Sequence, residues 1–211
     1  MGALVGAMLA LSSLAGPASS PQSSAPSAPS APGDAAAEPS AGPSGRAAAT
    51  SGGRRFWVKD EHRYASPWYA GNRRKMIGFG CTRAPYYSPH PDCVRKRGFH
   101  HGLDLAMPCG TRLSAGFRGR IVNPRSKGAP GPAYGHKAFR IRNHRKDVDV
   151  VVGHARRVYV DPGDRVRKGQ LIARASDAGA PDGCHLHFEV RPIRGGYRSA
   201  VRPHDYLELR R

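Results

Sequence analysis

Two stretches of the chain alternate polar and apolar residues around histidines. Residues 98–106 read GFHHGLDLA, and residues 183–190 read GCHLHFEV. Alternation with a period of two is typical of a β-strand that buries one face. Both stretches begin with a glycine, a residue that often marks the end of a regular element. We therefore predict that each stretch is a strand whose apolar side chains face the core.

Strand geometry also sorts the polar residues, because alternate side chains share a face. In the first stretch, His100 and Asp104 lie on one face, whereas His101 lies on the other face with the leucines. In the second stretch, His185 and His187 lie opposite the apolar side chains. These four groups are then able to meet outside the core. The pattern selects His100 over His101 as a candidate ligand.

Two imidazoles and a carboxylate form the ligand set of a catalytic Zn²⁺ site, which keeps its fourth position open for water. Such a metal lowers the pKa of bound water to about 7 and polarises the carbonyl under attack. The set has one imidazole to spare, which would act as a general base or stabilise an oxyanion. His154, after the valine-rich residues 148–152, is a candidate for a second such group. Spacing alone leaves open the alternative that these are ordinary surface histidines.

Short alternating runs also occupy much of the remaining sequence from residue 54 onward. They lie at 119–122, 137–143, 147–153 and 169–174, and Gly, Pro and Asn interrupt them. No segment carries apolar residues at helical spacing for three turns. We predict a mostly β fold with a small antiparallel β-sheet core, in which residues 128–135 form a long turn between two strands.

The first quarter of the chain has a different composition. Residues 3–11 form an apolar run, which is typical of a signal-peptide core and too short to span a bilayer. Residues 19–53 consist almost entirely of Ala, Pro, Ser and Gly, a composition that cannot bury a core. We therefore predict a signal peptide at 1–18, a disordered linker at 19–53, a folded domain at 54–211, and no stable membrane span in the mature chain.

The 211-residue chain is strongly basic, with 34 Lys+Arg, 15 Asp+Glu and a net charge of +19. Asp34, Glu38 and Arg46 are the only charged side chains before residue 54, so the net charge belongs to the folded domain. Such an imbalance indicates a polyanionic neighbour, which could be nucleic acid, an anionic membrane or an anionic cell-wall polymer. The composition excludes a multi-span membrane protein, a coiled coil and an all-helical bundle.

All four cysteines lie in the predicted domain. An even count beside an export signal favours disulfides, and four cysteines allow three pairings. A cysteine-based zinc site is disfavoured because the chain has no CxxC motif. We expect Cys81 to pair with Cys93, which closes a local loop.

The two histidine stretches resemble the HxGxD and HLHFE motifs of the lysostaphin/LytM-type zinc metallopeptidases. Further segments resemble this family in the same order along the chain, and the resemblance covers about residues 76–191. These segments are 77–80 (IGFG), 119–122 (GRIV), Tyr134-Gly135, and 161–172 (DPGDRVRKGQLI).

The resemblance implies a role for each matching residue. His100, Asp104 and His187 correspond to the ligands of one zinc ion per domain, and His185 and His154 correspond to the catalytic histidines. The division of labour between these two histidines stays open. The family fold is a small antiparallel β core with a zinc groove. In residues 179–183 (GAPDG) the chain departs from the family's usual S-T-G, so substrate contacts in that loop are not implied.

The implied metal also bears on the second cysteine pair. Cys109 lies five residues after Asp104, and Cys184 lies three residues before His187. If both histidine strands meet at one metal, these cysteines flank it. We therefore expect Cys109 to pair with Cys184.

The resemblance implies an exported zinc-dependent endopeptidase that hydrolyses peptide bonds in peptidoglycan stem peptides or crossbridges. We expect a monomer that is secreted or associated with the cell wall, where its basic surface meets anionic cell-wall polymers. No nucleic-acid-binding motif supports nucleic acid as the partner. The alternative is a non-catalytic cell-wall-binding or hydrolase-activating domain of the same fold. Such members lack some metal ligands, whereas all five positions are filled here.

The other histidines and one aromatic group lie outside this pattern. We expect His101 to be a packed neighbour, His62, His90 and His204 to be surface groups, and His136 and His144 to pack on strands. The aromatic group either packs on the β core or forms a sugar-stacking platform. Its members are Phe56, Trp57, Tyr64, Trp68 and Tyr69.

Overall fold

The computed structural model describes residues 55–211. The signal peptide predicted at 1–18 and the linker predicted at 19–53 lie outside the described residues, as does Arg54. No helix in the described part of the chain is both long enough and apolar enough to cross a membrane.

Residues 55–211 are almost entirely β-structure and connecting loops, as predicted. The strands are β1 Arg63–Ser66, β2 Tyr69–Lys75, β3 Gly80–Thr82, β4 Gly98–His100, β5 Leu103–Ala106, β6 Arg112–Ser114, β7 Gly119–Ile121, β8 Phe139–Asn143, β9 Val148–Gly153, β10 Ala155–Arg156, β11 Arg165–Val166, β12 Leu171–Ala175 and β13 His185–Pro192. One short helix, α1, spans His204–Leu207, and 3-10 turns lie at Pro132–Tyr134 and Tyr197–Ser199.

Eleven of these strands form one antiparallel sheet. Its order is β10-β12-β6-β2-β5-β13-β9-β8-β7-β11, with β1 paired to β2. The second histidine strand, β13, lies in the middle, between β5 and β9. His187 is directly opposite Asp104 on one side and Gly153 on the other. This register explains how residues more than 80 positions apart in sequence become neighbours.

The apolar side chains of the central strands form the core, as the alternation predicts. Leu186, Phe188 and Val190 are all at most 1% exposed and share this cluster with three valines of β9, Val148, Val150 and Val152. The Trp68 ring packs edge-on against Phe188 at a centroid distance of 4.8 Å, and its indole N–H donates to the carbonyl of Tyr206. The opposite face of β13 carries the polar residues, which are also buried because loops cover them.

The first histidine stretch differs from the prediction of a single strand. It is divided into β4, which ends at His100 and pairs with β3 in a separate two-stranded sheet, and β5, which begins at Leu103 and pairs with β13. The break falls at His101-Gly102. A Cβ atom at Gly102 would lie 2.6 Å from the imidazole of His187, so the glycine at this break leaves room for that ring.

Both expected disulfides are present, Cys81–Cys93 and Cys109–Cys184. The first closes a loop before β4. The second joins the chain after β5 to the start of β13, two strands that are hydrogen-bonded neighbours. This disulfide therefore links the strands that carry Asp104 and His187 covalently, beside the candidate site.

The two disulfides should contribute unequally to stability. Their cysteines are 12 and 75 residues apart in sequence. In the chain-entropy model these loops correspond to about 2.8 and about 4.5 kcal/mol. We expect Cys109→Ala/Cys184→Ala to lower the free energy of unfolding more than Cys81→Ala/Cys93→Ala, measured by equilibrium urea unfolding. A larger loss from Cys81→Ala/Cys93→Ala would contradict this order.

Candidate metal centre

Three side chains point donor atoms at one another on the polar face of the sheet. His100 Nε2 lies 3.1 Å from His187 Nδ1 and 3.3 Å from Asp104 Oδ1, and His187 Nδ1 lies 2.9 Å from Asp104 Oδ1. All three residues are at most 6% exposed. They come from β4, β5 and β13, so the site depends on the central strand pairing.

Each of the two imidazoles is held by a partner on its outer nitrogen. His100 Nδ1 lies 3.0 Å from the carbonyl of Gly78, which only accepts hydrogen bonds, so this nitrogen carries the proton. His187 Nε2 lies 3.2 Å from Glu189 Oε2, which likewise accepts. In the neutral form of each ring, the inner nitrogen is therefore an unprotonated lone-pair donor to a metal.

This donor set fits a zinc ion. With bonds of 2.0–2.1 Å in a tetrahedral arrangement, zinc holds its ligand atoms about 3.3 Å apart, close to the distances found here. Two lone pairs and a carboxylate that face one another in a buried site repel unless a proton or a metal ion lies between them. The chemistry of the three residues thus matches a site with two histidines and one aspartate.

The pKa values of Asp104 and His187 also indicate that this cluster favours a cation. Burial alone would raise the pKa of Asp104, but the neighbouring His100 and His185 imidazoles hold it well below its usual range. Burial opposes a charge on His187, yet hydrogen bonds to Asp104 and Glu189 raise its pKa to about 9. The cluster therefore attracts positive charge, either as a proton or as a metal ion.

A buried charged network stands behind His187. Glu189 is fully buried; its Oε2 accepts the hydroxyl of Tyr134 at 2.8 Å, and its Oε1 accepts Nε of Arg191. Arg191 also donates to the Tyr134 hydroxyl and to the carbonyl of Gly128. The loop between β7 and β8 is thus tied to the strand that carries His187. Strand alternation puts Glu189 on the same face as His187, but the sequence pattern assigned no role to it or to Tyr134.

The two other candidate histidines, His154 and His185, lie side by side next to the three donor residues. The rings of His154 and His185 are 4.4 Å apart, and His185 Nε2 lies 3.7 Å from Asp104 Oδ1. His154 Nδ1 donates to the carbonyl of Ala178, and His185 Nδ1 donates to that of Gly183, both at 2.8 Å. Both Nε2 atoms are therefore the free acceptors of their rings.

His154 has an unusual backbone and a strongly shifted pKa. It lies between β9 and β10 with a φ of 51°, a left-handed conformation that is uncommon outside glycine and is often found at functional sites. Burial, assisted by His185 and His187, lowers the pKa of His154 to about 3. At neutral pH this imidazole is uncharged, and its Nε2 atom is a hydrogen-bond acceptor.

A cavity of about 110 Å³ opens onto these groups. Its lining includes His100, His154 and His187, together with His101 and Tyr87. His101 thus reaches the cavity, although its ring packs on Phe99 rather than joining the donor cluster.

The loop that departs from the family pattern contacts the site through Asp182. This residue is 2% exposed, and its carboxylate accepts the Tyr86 hydroxyl at 2.6 Å. Its other oxygen lies 3.6 Å from His185 Nδ1. Tyr86 and Asp182 therefore connect the loops on two sides of the centre, a contact that the sequence did not reveal.

The remaining histidines follow the expectations only in part. His62 is exposed as expected, whereas His90 and His204 are partly buried, and the His90 ring packs on Phe99. His136 and His144 are exposed, so the expectation that they pack on strands is wrong. Both lie in connections, at residues that precede β8 and follow it, where the side chains face outward.

The aromatic group packs mainly on the β core, as one of its two interpretations required. Tyr64, Trp68 and Tyr69 are buried, and Phe56 packs on a smaller cluster around Met76. Trp57 is 44% exposed, and the Arg74 guanidinium lies 4.5 Å from its ring centroid. The five residues do not form a common exposed platform.

Comparison with known proteins places these features in a family. The chain is 26% identical over 152 residues to an uncharacterized metalloprotease of Haemophilus influenzae, and it spans only 30% of that protein. The catalytic domain of the antimicrobial peptidase lysostaphin from Staphylococcus simulans shares its fold, with a TM-score of 0.51 and 24% identity over 64% of this chain and 92% of that domain. A solution structure of lysostaphin gives a TM-score of 0.50 and 25% identity over 64% of this chain and 50% of that one.

The family comparison covers both strands of the candidate centre. The model of peptidase family M23 matches residues 98–203, half of the chain, and this range begins at β4 and extends beyond β13. All three donor residues of the centre, as well as His154 and His185, lie within it. The chain belongs to peptidase family M23.

Proposed function

We propose that the chain is an exported zinc-dependent endopeptidase that hydrolyses peptide bonds in peptidoglycan stem peptides or crossbridges. The observation that carries this proposal is the convergence of His100 Nε2, Asp104 Oδ1 and His187 Nδ1, with both outer imidazole nitrogens already engaged. The lysostaphin-like fold supports the choice of peptidoglycan as substrate. The two disulfides support export, because they persist in oxidising compartments.

These three residues would hold the zinc ion, which when bound lowers the pKa of a water molecule and polarises a carbonyl group. His154 and His185 supply the proton chemistry. In the neutral form of each ring, the Nε2 atom beside the centre carries a lone pair, which is able to accept a proton from water. The protonated ring is then a hydrogen-bond donor for the oxyanion of a tetrahedral intermediate and for the leaving amine.

The test combines metal content with product analysis. We expect the purified 211-residue chain to contain about one zinc ion by elemental mass spectrometry. It should release muropeptides with new amino and carboxyl termini and intact glycan bonds. Chelation should stop the release, and added zinc should restore it. A zinc-loaded chain that leaves peptidoglycan uncut would instead indicate the non-catalytic wall-binding or hydrolase-activating alternative.

Glu189 should tune the metal affinity from outside the ligand set. Glu189→Gln removes the negative charge that fixes the His187 ring through Nε2. Changes to such outer partners typically weaken metal binding about 10–100-fold. We expect this increase in the zinc dissociation constant, measured by competition with a coloured chelator. Glu208→Gln, on a partly exposed carboxylate paired with Lys168, is the control. Unchanged zinc affinity in a folded Glu189→Gln variant would exclude this role.

A further inference from the structure

Three neighbouring strands place arginines directly opposite one another. Arg142 of β8 pairs across the sheet with Arg120 of β7, which pairs with Arg165 of β11. We call these three residues the arginine ladder. Like charges directly opposite in a sheet are destabilising. Their alignment is therefore unfavourable for the protein alone and becomes favourable when an anion lies across it.

The arginine ladder lines a cavity of about 620 Å³ with three more arginines nearby. The arginines that line this cavity are Arg118, Arg120, Arg142, Arg145, Arg165 and Arg167. None of the ten residues that surround it is acidic, and none is Phe, Tyr or Trp. Of the six, Arg142 is paired, since it donates two hydrogen bonds to Asp149. No salt bridge within residues 55–211 engages the other five.

The position of the arginine ladder relates it to the metal centre. Arg142 is opposite Asp149 of β9, which is opposite Arg191 of β13. Arg191 and His187 are four residues apart on one strand, so they share its face. The arginine ladder thus continues the polar face of the sheet that carries the metal centre. The apolar residues of β7 and β8, Ile121 and Ile141, face the core instead.

We propose that the arginine ladder binds a linear polyol-phosphate polymer, that is, a chain of phosphodiesters without bases. The planar guanidinium fork matches phosphate oxygens with two parallel hydrogen bonds. Three strands at a spacing of about 4.8 Å extend the ladder over about 10 Å, which fits repeated charges better than one small anion. Nucleic acids without sequence preference are commonly held by aromatic stacking as well as charge, and this cavity offers no Phe, Tyr or Trp ring and a single imidazole, that of His144.

The chain offers a matched control at the other end of the same sheet. Arg156, Arg174 and Arg112 also face one another across β10, β12 and β6. There, the central guanidinium of Arg174 donates to the carbonyl of Gly110 and to the hydroxyl of Tyr159. In the arginine ladder, no acceptor among the described residues engages the central Arg120. Each set therefore has one engaged arginine and two whose guanidinium groups are available. The available pair is adjacent in the arginine ladder, whereas the engaged Arg174 separates the available pair in the other set.

The test measures binding of the full 211-residue chain to fluorescent poly(glycerol phosphate) by anisotropy at several salt concentrations. We expect Arg120→Gln/Arg165→Gln to weaken binding at least tenfold and to reduce the slope of log affinity against log salt by about one to two. Its melting temperature should stay equal or rise, because like charges are removed. Arg112→Gln/Arg156→Gln should change the affinity less than twofold. The retained Arg142 keeps its pairing with Asp149.

Three results would overturn the proposal. The first is an equal loss in the two double variants, which would mean that net charge alone drives binding. The second is no loss in Arg120→Gln/Arg165→Gln. The third is tighter ladder-dependent binding of polyadenylate than of poly(glycerol phosphate) of equal charge, which would make nucleic acid the partner. The measurement is repeated with chelator, and binding should be unchanged. The proposal therefore stands or falls independently of zinc and of peptidase activity.

Discussion

Asp104→Ala and His187→Ala are each expected to reduce zinc content from about one ion per chain to nearly none and to abolish wall hydrolysis. Each change leaves two of three ligands, and Asp104→Ala also removes the negative charge that attracts the cation. A bound metal supplies several kcal/mol of transition-state stabilisation, so the rate should fall about 10³-fold or more. Elemental mass spectrometry and release of soluble muropeptides measure the two effects on the same samples.

Other histidines at the centre provide controls that separate ligand from proton-transfer roles. His185→Ala and His154→Ala should retain zinc and lose activity, because these rings adjoin the donor cluster without belonging to it. The His101 side chain lines the same cavity but packs on Phe99, so His101→Ala should retain zinc and most of the activity. Zinc retention together with full activity in Asp104→Ala or His187→Ala would exclude the proposed centre.

Strand alternation predicted the arrangement of the centre better than its surroundings. Parity in two short stretches selected His100 over His101, and His100 Nε2 does face Asp104 and His187, while the His101 ring packs on Phe99. Alternation succeeds because it reports a local property of each strand. It cannot report which strands pair. The adjacency of β5 and β13, and hence the meeting of Asp104 with His187, rested on the resemblance.

Alternation also failed where the backbone bends or where loops fold back. At the break, Gly102 lies against the His187 ring, which comes from a strand far away in sequence. The network of Glu189, Arg191 and Tyr134 depends on the path of the loop after β7. Long-range packing decides both features, and no pattern within one segment records it.

Asp149 is a further example of a charge whose burial the sequence conceals. It lies in a strand of valines and is 0% exposed. Its oxygens accept two hydrogen bonds from Arg142 and one from Arg140, a residue that is 1% exposed. Arg140 in turn donates to the carbonyls of Ser126 and Lys127, so the carboxylate also supports the loop after β7. The buried Asp149 carboxylate therefore connects β9 with two arginines of β8 and, through Arg140, with the loop after β7.

Asp149→Ala should be among the most destabilising single changes in the domain. It leaves the guanidinium of Arg140 buried without its carboxylate partner, and breaking such a pair from one side costs about 3–5 kcal/mol. That is a large share of the roughly 5–15 kcal/mol that keeps a typical domain folded. Equilibrium urea unfolding with the disulfides intact gives the free energy. Lys168→Ala, which breaks the exposed pair with Glu208, should cost less than about 1 kcal/mol because water screens both charges. Similar losses from the two variants would mean that the Asp149 cluster is solvated and contributes no more than a surface ion pair.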